Sequence, residues 1–135
     1  MIEVWDTSAL ILAARDPRVA AGLGEALAND EVALSEPILL EYLNGARSAA
    51  EYDRFDATLR AARLLSTTDD DWQRALEVHR LLAASGPGRQ RSVRLVDLIV
   101  AAVAERHRYS VAHCDHDYDR IAVLTGQPVR WVALP

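Results

Sequence analysis

The sequence predicts an α/β domain with a mainly parallel central sheet flanked by helices. Short apolar segments typical of buried strands alternate along the chain with longer segments whose apolar residues recur every three or four positions. The chain has 135 residues, 50% of them hydrophobic and 26% charged, which suits one domain, 1–135, with its own core. Acidic residues directly follow two of the predicted strands, as expected for a site at the carboxyl edge of a parallel sheet.

Four strands are predicted from short apolar runs that end at polar or turn-forming residues. They cover residues 2–5, 32–34, 110–114 and 129–134. Seven helices are predicted between and after them, at 8–14, 17–28, 36–44, 49–65, 69–84, 96–106 and 118–125. Pro17 and Pro37 each stand at a helix start, where a missing N–H costs nothing, and Gly126 ends the last helix.

The helix at 69–84 has the clearest start signal. Thr68 is a candidate N-cap, and three aspartates follow it in the first turn, where the helix dipole favours negative charge. Its predicted core face carries Trp72, Ala75, Leu76 and Leu82. The loop 85–88, with two glycines and a proline, is the predicted mobile element. It leads to Arg89, Arg91 and Arg94.

Composition excludes several classes of protein. The single cysteine, Cys114, cannot form an internal disulfide, and the N-terminal residues lack the pattern of a secretory leader, so we expect a cytoplasmic protein. No apolar run is long enough for a membrane span. A net charge of −5 disfavours nucleic-acid binding by a large positive field, yet suits a metal-dependent nuclease, whose carboxylates make it acidic.

Acidic residues stand at chemically unusual places. Asp6 follows the first strand, and Asp115 and Asp117 follow the strand at 110–114. Asp97 is the one charged residue between Arg94 and Glu105, and burying an ionised carboxylate is costly unless it is paired or bound to metal. Glu41 has similar apolar neighbours and is expected to point inward.

Each acid also has a structural explanation. Asp6 suits a helix cap, and Asp97 suits a cap near Leu98 or a partner of Arg94. Glu41 suits an exposed helix position. Asp115, Asp117 and Asp119 suit a solvated turn. The joint pattern favours a metal site, because clustered carboxylates repel one another unless a hard cation lies among them.

Oxygen ligands alone favour Mg²⁺ or Mn²⁺. A zinc site at His113, Cys114 and His116 is disfavoured, because no second ligand pair has suitable spacing, and Cys114 is predicted to be a small buried side chain. The chain has no G-x-S-x-G elbow and no Walker loop. All 15 basic residues are arginine, so the lysine usual in receiver domains and aspartate-nucleophile phosphatases is missing.

Four segments together resemble the acidic motifs of PIN domains, and the C-terminal sequence is similar to bacterial VapC toxins. The segments are 2–10, 37–43, 96–102 and 113–122, followed by 126–132. The resemblance implies that Asp6, Glu41, Asp97 and Asp115 form an acidic quartet joined by Asp117, with Asp6 and Asp97 as principal metal ligands. It assigns Thr7 or Ser8 a supporting hydroxyl.

The resemblance further implies an Mg²⁺-dependent endoribonuclease, with Mn²⁺ as a plausible substitute, that is held inactive by a cognate VapB-like antitoxin and forms a homodimer. Arg89, Arg91 and Arg94 are the candidate contacts for RNA phosphates, with surface solubility as the alternative. Two other functions stay open from the sequence. One is a catalytically silent interaction module, and the other is an RNA-processing nuclease without an antitoxin.

Overall fold

The computed structural model describes residues 1–134 and contains one five-stranded sheet; position 135, the end of the predicted domain, lies outside the described residues. The strands are β1 (Glu3–Trp5), β2 (Val32–Ser35), β3 (Arg63–Leu65), β4 (Ser110–His113) and β5 (Val129–Trp131). Their order is β3-β2-β1-β4-β5, and every pair is parallel. The predicted parallel α/β fold is therefore confirmed.

Within residues 1–134, seven α-helices connect the strands. They are α1 (Thr7–Ala13), α2 (Pro17–Ala28), α3 (Glu36–Leu43), α4 (Ala49–Leu59), α5 (Asp69–Ser85), α6 (Leu95–His107) and α7 (His116–Thr125). The chain runs outward from β1 through β2 to β3 and then crosses to β4 on the other side of β1. Connections between parallel strands are right-handed, so connections that run in opposite directions along the sheet place their helices on opposite faces. In agreement, α1 packs on α2 and α3, whereas α5, α6 and α7 pack on one another.

The core lies where α6 crosses the sheet. Eight consecutive residues of α6, from Asp97 to Ala104, are buried, as the apolar character around this helix predicts. The central strands contribute Val4, Ala33 and Val111, which are fully buried. Val4 pairs with Ala33 on one side and with Val111 on the other. Small and β-branched side chains therefore form a continuous row across the middle of the sheet. This rigid centre holds the carboxyl ends of β1 and β4 side by side.

The strand β3 corrects the prediction of one helix over residues 49–65. Helix α4 ends at Leu59, and Arg63–Leu65 pairs with β2 as an edge strand. Leu59, Ala62 and Leu65 are spaced as on a helix, and no glycine or proline separates the two elements, so the sequence pattern conceals the break. The Arg63 guanidinium pairs with Asp30 at 2.7 Å and anchors this edge.

Other boundaries shift by a few residues. Residue 114 and residues 132–134 lie outside the strands, α7 begins at His116 instead of position 118, and Arg89–Ser92 forms a 3₁₀ turn in the arginine-bearing segment. Helix ends routinely differ by such amounts because terminal turns fray and tighten. None of the helices in residues 1–134 has the length and apolar character that a membrane span requires.

The predicted core face of α5 is wrong at two positions. Trp72 and Leu76 are exposed, and Ala75, Val78 and Leu82 are buried. The buried stripe begins at Asp71, whose carboxylate accepts the N–H of Thr68 at 2.8 Å and pairs with Arg106 at 2.9 Å. Because a partly buried ion pair and a capping box fix this turn, the helix is rotated by one position from the orientation that apolar spacing alone favours.

Candidate metal centre

The acidic residues meet where the sheet topology changes direction. Chain connections leave β1 toward β2 on one side and arrive at β4 on the other, which opens a crevice at the carboxyl ends of these two strands. Asp6 follows β1 directly and Asp115 lies two residues after β4. Asp97 enters from the first turn of α6, and Glu41 from α3.

Asp97 is the most strongly perturbed acid. Its side chain is fully buried, and its Oδ2 atom has no hydrogen-bond partner within residues 1–134. Burial raises the pKa of Asp97 to about 9, and the neighbouring acids Asp117, Asp6 and Asp115 add to this rise. The group is therefore neutral at pH 7 without a cation, and a bound cation would favour its ionised form.

Asp97, Asp115 and Asp117 form a compact group that we call the acidic triad. One ligand oxygen from each lies within 4.8 Å of the other two, and residues 1–134 contain no other such group of three. All three donors are carboxylate oxygens, which suits a hard divalent cation. The unpartnered Oδ2 of Asp97 fits a cation ligand, since buried polar atoms normally have partners.

Asp6 caps α1 and also faces the acidic triad. Its Oδ2 accepts the N–H of Ser8 at 2.9 Å and the hydroxyl of Ser8 at 2.6 Å. Its Oδ1 accepts the hydroxyl of Tyr118 at 2.6 Å, and the Tyr118 oxygen lies 3.3 Å from Oδ1 of Asp97. The Asp6 carboxylate therefore caps α1 and also lies at the site, so its capping role does not exclude a role at the site.

Glu41 lies at the edge of the site and is held by two side chains. The hydroxyl of Thr7 donates to Glu41 Oε1 at 3.0 Å, and the guanidinium of Arg94 pairs with Oε2. The sequence offered Asp97 as an ion-pair partner of Arg94. In the structure the Arg94 side chain pairs with Glu41 instead. Its backbone N–H donates to Asp117 Oδ2 at 2.9 Å.

Two residues that the sequence interpretation did not single out take part in this site. Tyr118 bridges Asp6 and Asp97, and Arg120 donates to Asp117 Oδ1 at 3.0 Å. Arg120 follows Asp117 by three positions, and this helical spacing could have indicated the pair. A buried tyrosine after an acidic motif, by contrast, resembles ordinary core, and only the structure places its hydroxyl.

The histidines and the cysteine of β4 and α7 lie outside the acidic triad. His113 is fully buried, and its Nδ1 accepts the N–H of Asp115 at 3.2 Å. Burial lowers the pKa of His113, so its ring is neutral at pH 7. His116 is exposed beside Asp119, and Cys114 is half-buried instead of fully buried. The N–H of Cys114 donates to the Ser8 hydroxyl at 2.9 Å and so ties β4 to α1.

Arg89 lies at a pocket next to the acids. The pocket has a volume of about 390 Å³ and is lined by Arg89, Arg120, two serines and three aliphatic side chains. Arg89 folds across Gly86, and a Cβ at that glycine would lie 2.7 Å from the Arg89 Nε atom. Arg120 also donates to Asp117, so this one side chain both lines the pocket and contacts the acidic triad.

Sequence comparison finds similarity over nearly the whole chain. The PIN domain family model matches residues 4–124. Ribonuclease VapC18 of Mycobacterium tuberculosis is 38% identical over 132 residues, which cover 98% of this chain and 96% of that protein. Ribonuclease VapC21 of the same species is 42% identical over 71% of this chain and 69% of its own length.

Solved structures show the same fold. VapBC2 from Rickettsia felis, bound to a DNA fragment from its promoter, superposes with a TM-score of 0.77 at 15% identity, covering 96% of this chain and 98% of that chain. VapBC-5 from Mycobacterium tuberculosis superposes with a TM-score of 0.61 at 29% identity, covering 96% and 95%. The acidic crevice lies within a fold shared with toxin–antitoxin complexes.

Proposed function

This chain belongs to the PIN-domain family and, within it, to the VapC ribonucleases, and from that premise we propose that it is a cation-dependent endoribonuclease that acts as the toxin of a VapBC-like pair. The observation that carries the proposal is the acidic triad with its buried, unpartnered Asp97 oxygen. A purely structural carboxylate in this position would be expected to have a partner. RNA as the substrate agrees with the predicted cytoplasmic location.

The residues proposed to hold the cation are Asp6, Glu41, Asp97, Asp115 and Asp117, and the proposed ion is Mg²⁺, with Mn²⁺ as a substitute. When bound, such a cation lowers the pKa of a coordinated water and stabilises charge on the leaving oxygen. The residues of this chain orient the ligands: Ser8 and Tyr118 hold Asp6, while Thr7 holds Glu41. The backbone N–H of Arg94 holds Asp117.

The test of the function is cleavage of total cellular RNA by the purified chain in Mg²⁺, in Mn²⁺ and in chelator. Discrete fragments are expected with either cation, and chelator should abolish them. The positions of the fragment ends would then identify the substrate RNA. Intact RNA in all three samples would favour the catalytically silent interaction module. The presence of all five acids in the sequence argues against that alternative. Cleavage that persists in chelator would contradict the cation mechanism.

We place the RNA along the pocket that Arg89 and Arg120 line. Two guanidinium groups beside aliphatic side chains suit a phosphate next to a base, and Arg120 also contacts Asp117 of the acidic triad. The Arg94 guanidinium pairs with Glu41, yet it is more than half exposed and lies within reach of a bound strand. Arg91 lies on the same 3₁₀ turn as Arg89 and adds positive charge there.

Replacing both Arg89 and Arg91 with alanine should weaken RNA binding about tenfold, because each phosphate contact is charge-assisted. Cation affinity should not change, since neither side chain contacts the acidic triad. Fluorescence anisotropy with a short single-stranded RNA, in chelator, measures the first quantity. The double variant Arg15→Ala and Arg18→Ala removes the same charge elsewhere and serves as the control. Equal RNA affinity in both double variants would remove this assignment.

A second copy of the chain is the partner we propose for one exposed surface, which we call the apolar face. It consists of Leu40, Trp72, Leu76 and Leu95, which are 68%, 54%, 61% and 68% exposed. A hollow of about 530 Å³ lies within it, and Glu41 lines its rim. Large exposed apolar patches mark interfaces, and a self-complementary patch closes into a symmetric dimer. The two sets of acids would then flank the dimer contact.

The antitoxin is proposed to occupy a different surface, which we call the helical groove. It lies among α1, α2, α3 and α4, has a volume of about 390 Å³, and is lined by apolar side chains that include Leu23, Leu27, Tyr42 and Phe55. An amphipathic helix of a VapB-like protein suits such a groove, because its apolar side chains fill it at helical spacing.

Single charged substitutions should separate the two partners. Leu95→Glu should convert a dimer to a monomer, and Leu27→Glu should abolish binding of a co-expressed antitoxin, because each buries a carboxylate in an apolar contact. Light scattering measures the first result and co-purification the second. Each variant is the control for the other, and loss of both partners in either one would contradict the separation of the surfaces.

A further inference from the structure

A single hydroxyl lies between two acids of the site. Tyr118 is fully buried, and its hydroxyl donates to Asp6 Oδ1 at 2.6 Å. The same oxygen lies 3.3 Å from Asp97 Oδ1. Asp6 comes from the turn after β1 and Asp97 from α6, and within residues 1–134 Tyr118, on α7, is the one side chain with hydrogen-bond contacts to both.

The phenol fixes the orientation of the Asp6 carboxylate. A phenol has one proton, and the 2.6 Å contact assigns it to Asp6. Ser8 holds the other oxygen of Asp6 through its hydroxyl and its backbone N–H. Both oxygens are therefore held from opposite sides, and rotation of this carboxylate would break at least one short hydrogen bond.

The Tyr118 ring is itself held in place. It packs against His113 with ring centroids 5.1 Å apart, and His113 packs against Trp131 at 4.8 Å. His113 also accepts the N–H of Asp115, which belongs to the acidic triad. These tilted aromatic contacts thus connect the position of the hydroxyl to the turn that carries Asp115 and Asp117.

We propose that Tyr118 is a positioning residue that sets how tightly, and how selectively, the site binds a divalent cation. The inference rests on the proposed function only in assigning the cation to these acids. Ligand-orienting groups around metal sites typically change affinity by 10–100-fold when removed. Mg²⁺ demands near-octahedral ligands, whereas Ca²⁺ tolerates irregular ones, so a loosened Asp6 should weaken Mg²⁺ more than Ca²⁺.

The test is Tyr118→Phe, which removes the hydroxyl and keeps the buried ring. Calorimetric titration should show the Kd for Mg²⁺ and for Mn²⁺ rising about tenfold, with a smaller rise for Ca²⁺. Tyr109→Phe is the matched control, because Tyr109 is a half-buried tyrosine that stacks on His107 and lies at the opposite end of β4 from Asp115. Thermal unfolding in chelator checks that both variants fold.

A second measurement separates positioning from general damage. The Mg²⁺ concentration for half-maximal RNA cleavage should rise by the same factor, while the rate at saturating Mg²⁺ stays within a few-fold of the unsubstituted chain. An unchanged or lower Kd in a folded Tyr118→Phe protein would overturn the inference, as would equal weakening of Mg²⁺ and Ca²⁺. If the unsubstituted chain binds Mn²⁺ but cleaves no RNA, the proposed function fails while the positioning role stands on the titration. Absence of Mn²⁺ binding by that chain would overturn both.

Discussion

Asp97→Asn should abolish RNA cleavage, lowering the rate by about 10³-fold or more, because it removes a charged cation ligand while keeping the shape of the side chain. The cation should no longer bind with measurable affinity at millimolar concentrations. Gel analysis of RNA fragments measures the rate, and calorimetry measures cation binding. Asp53→Asn, on the exposed surface of α4, is the control with the same chemical change.

The same substitution should not destabilise the protein in chelator. A carboxyl whose pKa is raised in the folded state favours folding while it is protonated and loses that contribution as the pH rises toward about 9. Asparagine does not ionise, so at pH 8 the unfolding temperature of Asp97→Asn should lie about 2–5 °C above that of the unsubstituted chain. An inactive variant with a much lower unfolding temperature would mean that cleavage was lost through unfolding, which contradicts the proposed role.

Cation affinity should rise steeply with pH. Because Asp97 holds a proton below its pKa of about 9, a cation that uses this oxygen must displace the proton. Release of one proton makes the affinity increase about tenfold per pH unit, so Mn²⁺ should bind about 100-fold more tightly at pH 8 than at pH 6. The increase in cation affinity should level off above pH 9, where the Asp97 carboxyl is ionised even without a bound cation.

Titration with Mn²⁺ at pH 6, 7 and 8 measures this dependence, and the proton release can be measured directly by calorimetry in buffers of different ionisation enthalpy. His113 is expected to contribute little at pH 7 and 8, because burial lowers its pKa below the ordinary value. Equal affinity at pH 6 and pH 8 would show that the cation does not use Asp97.

Most acids of the site are already held by hydrogen bonds or ion pairs. Ser8 and Tyr118 hold Asp6, Thr7 and Arg94 hold Glu41, and Arg120 holds Asp117. Among the acids of the site within residues 1–134, Asp97 is the one whose buried oxygen has no hydrogen-bond partner. The cost of clustering the acids therefore falls largely on one residue, which explains why both predictions with the largest effects concern Asp97.

Local sequence patterns determined the class of the fold and its family. Alternating strand and helix patterns predicted the parallel sheet, and the four acidic segments predicted a PIN domain of the VapC type; both predictions are confirmed. These features are readable because strand periodicity, helix caps and a lone acid in an apolar helix each depend on residues close together in the chain.

Tertiary structure alone decided the rest. Trp72 and Leu76 look like core by spacing and are exposed, because the Asp71–Arg106 pair fixes the rotation of α5. The strand β3 forms because an open edge of β2 accepts it, although its own sequence continues a helical pattern. The Tyr118 hydroxyl lies between two acids from distant segments, 2.6 Å from Asp6 and 3.3 Å from Asp97. Such contacts arise from the packing of elements far apart in sequence, and no local pattern encodes them.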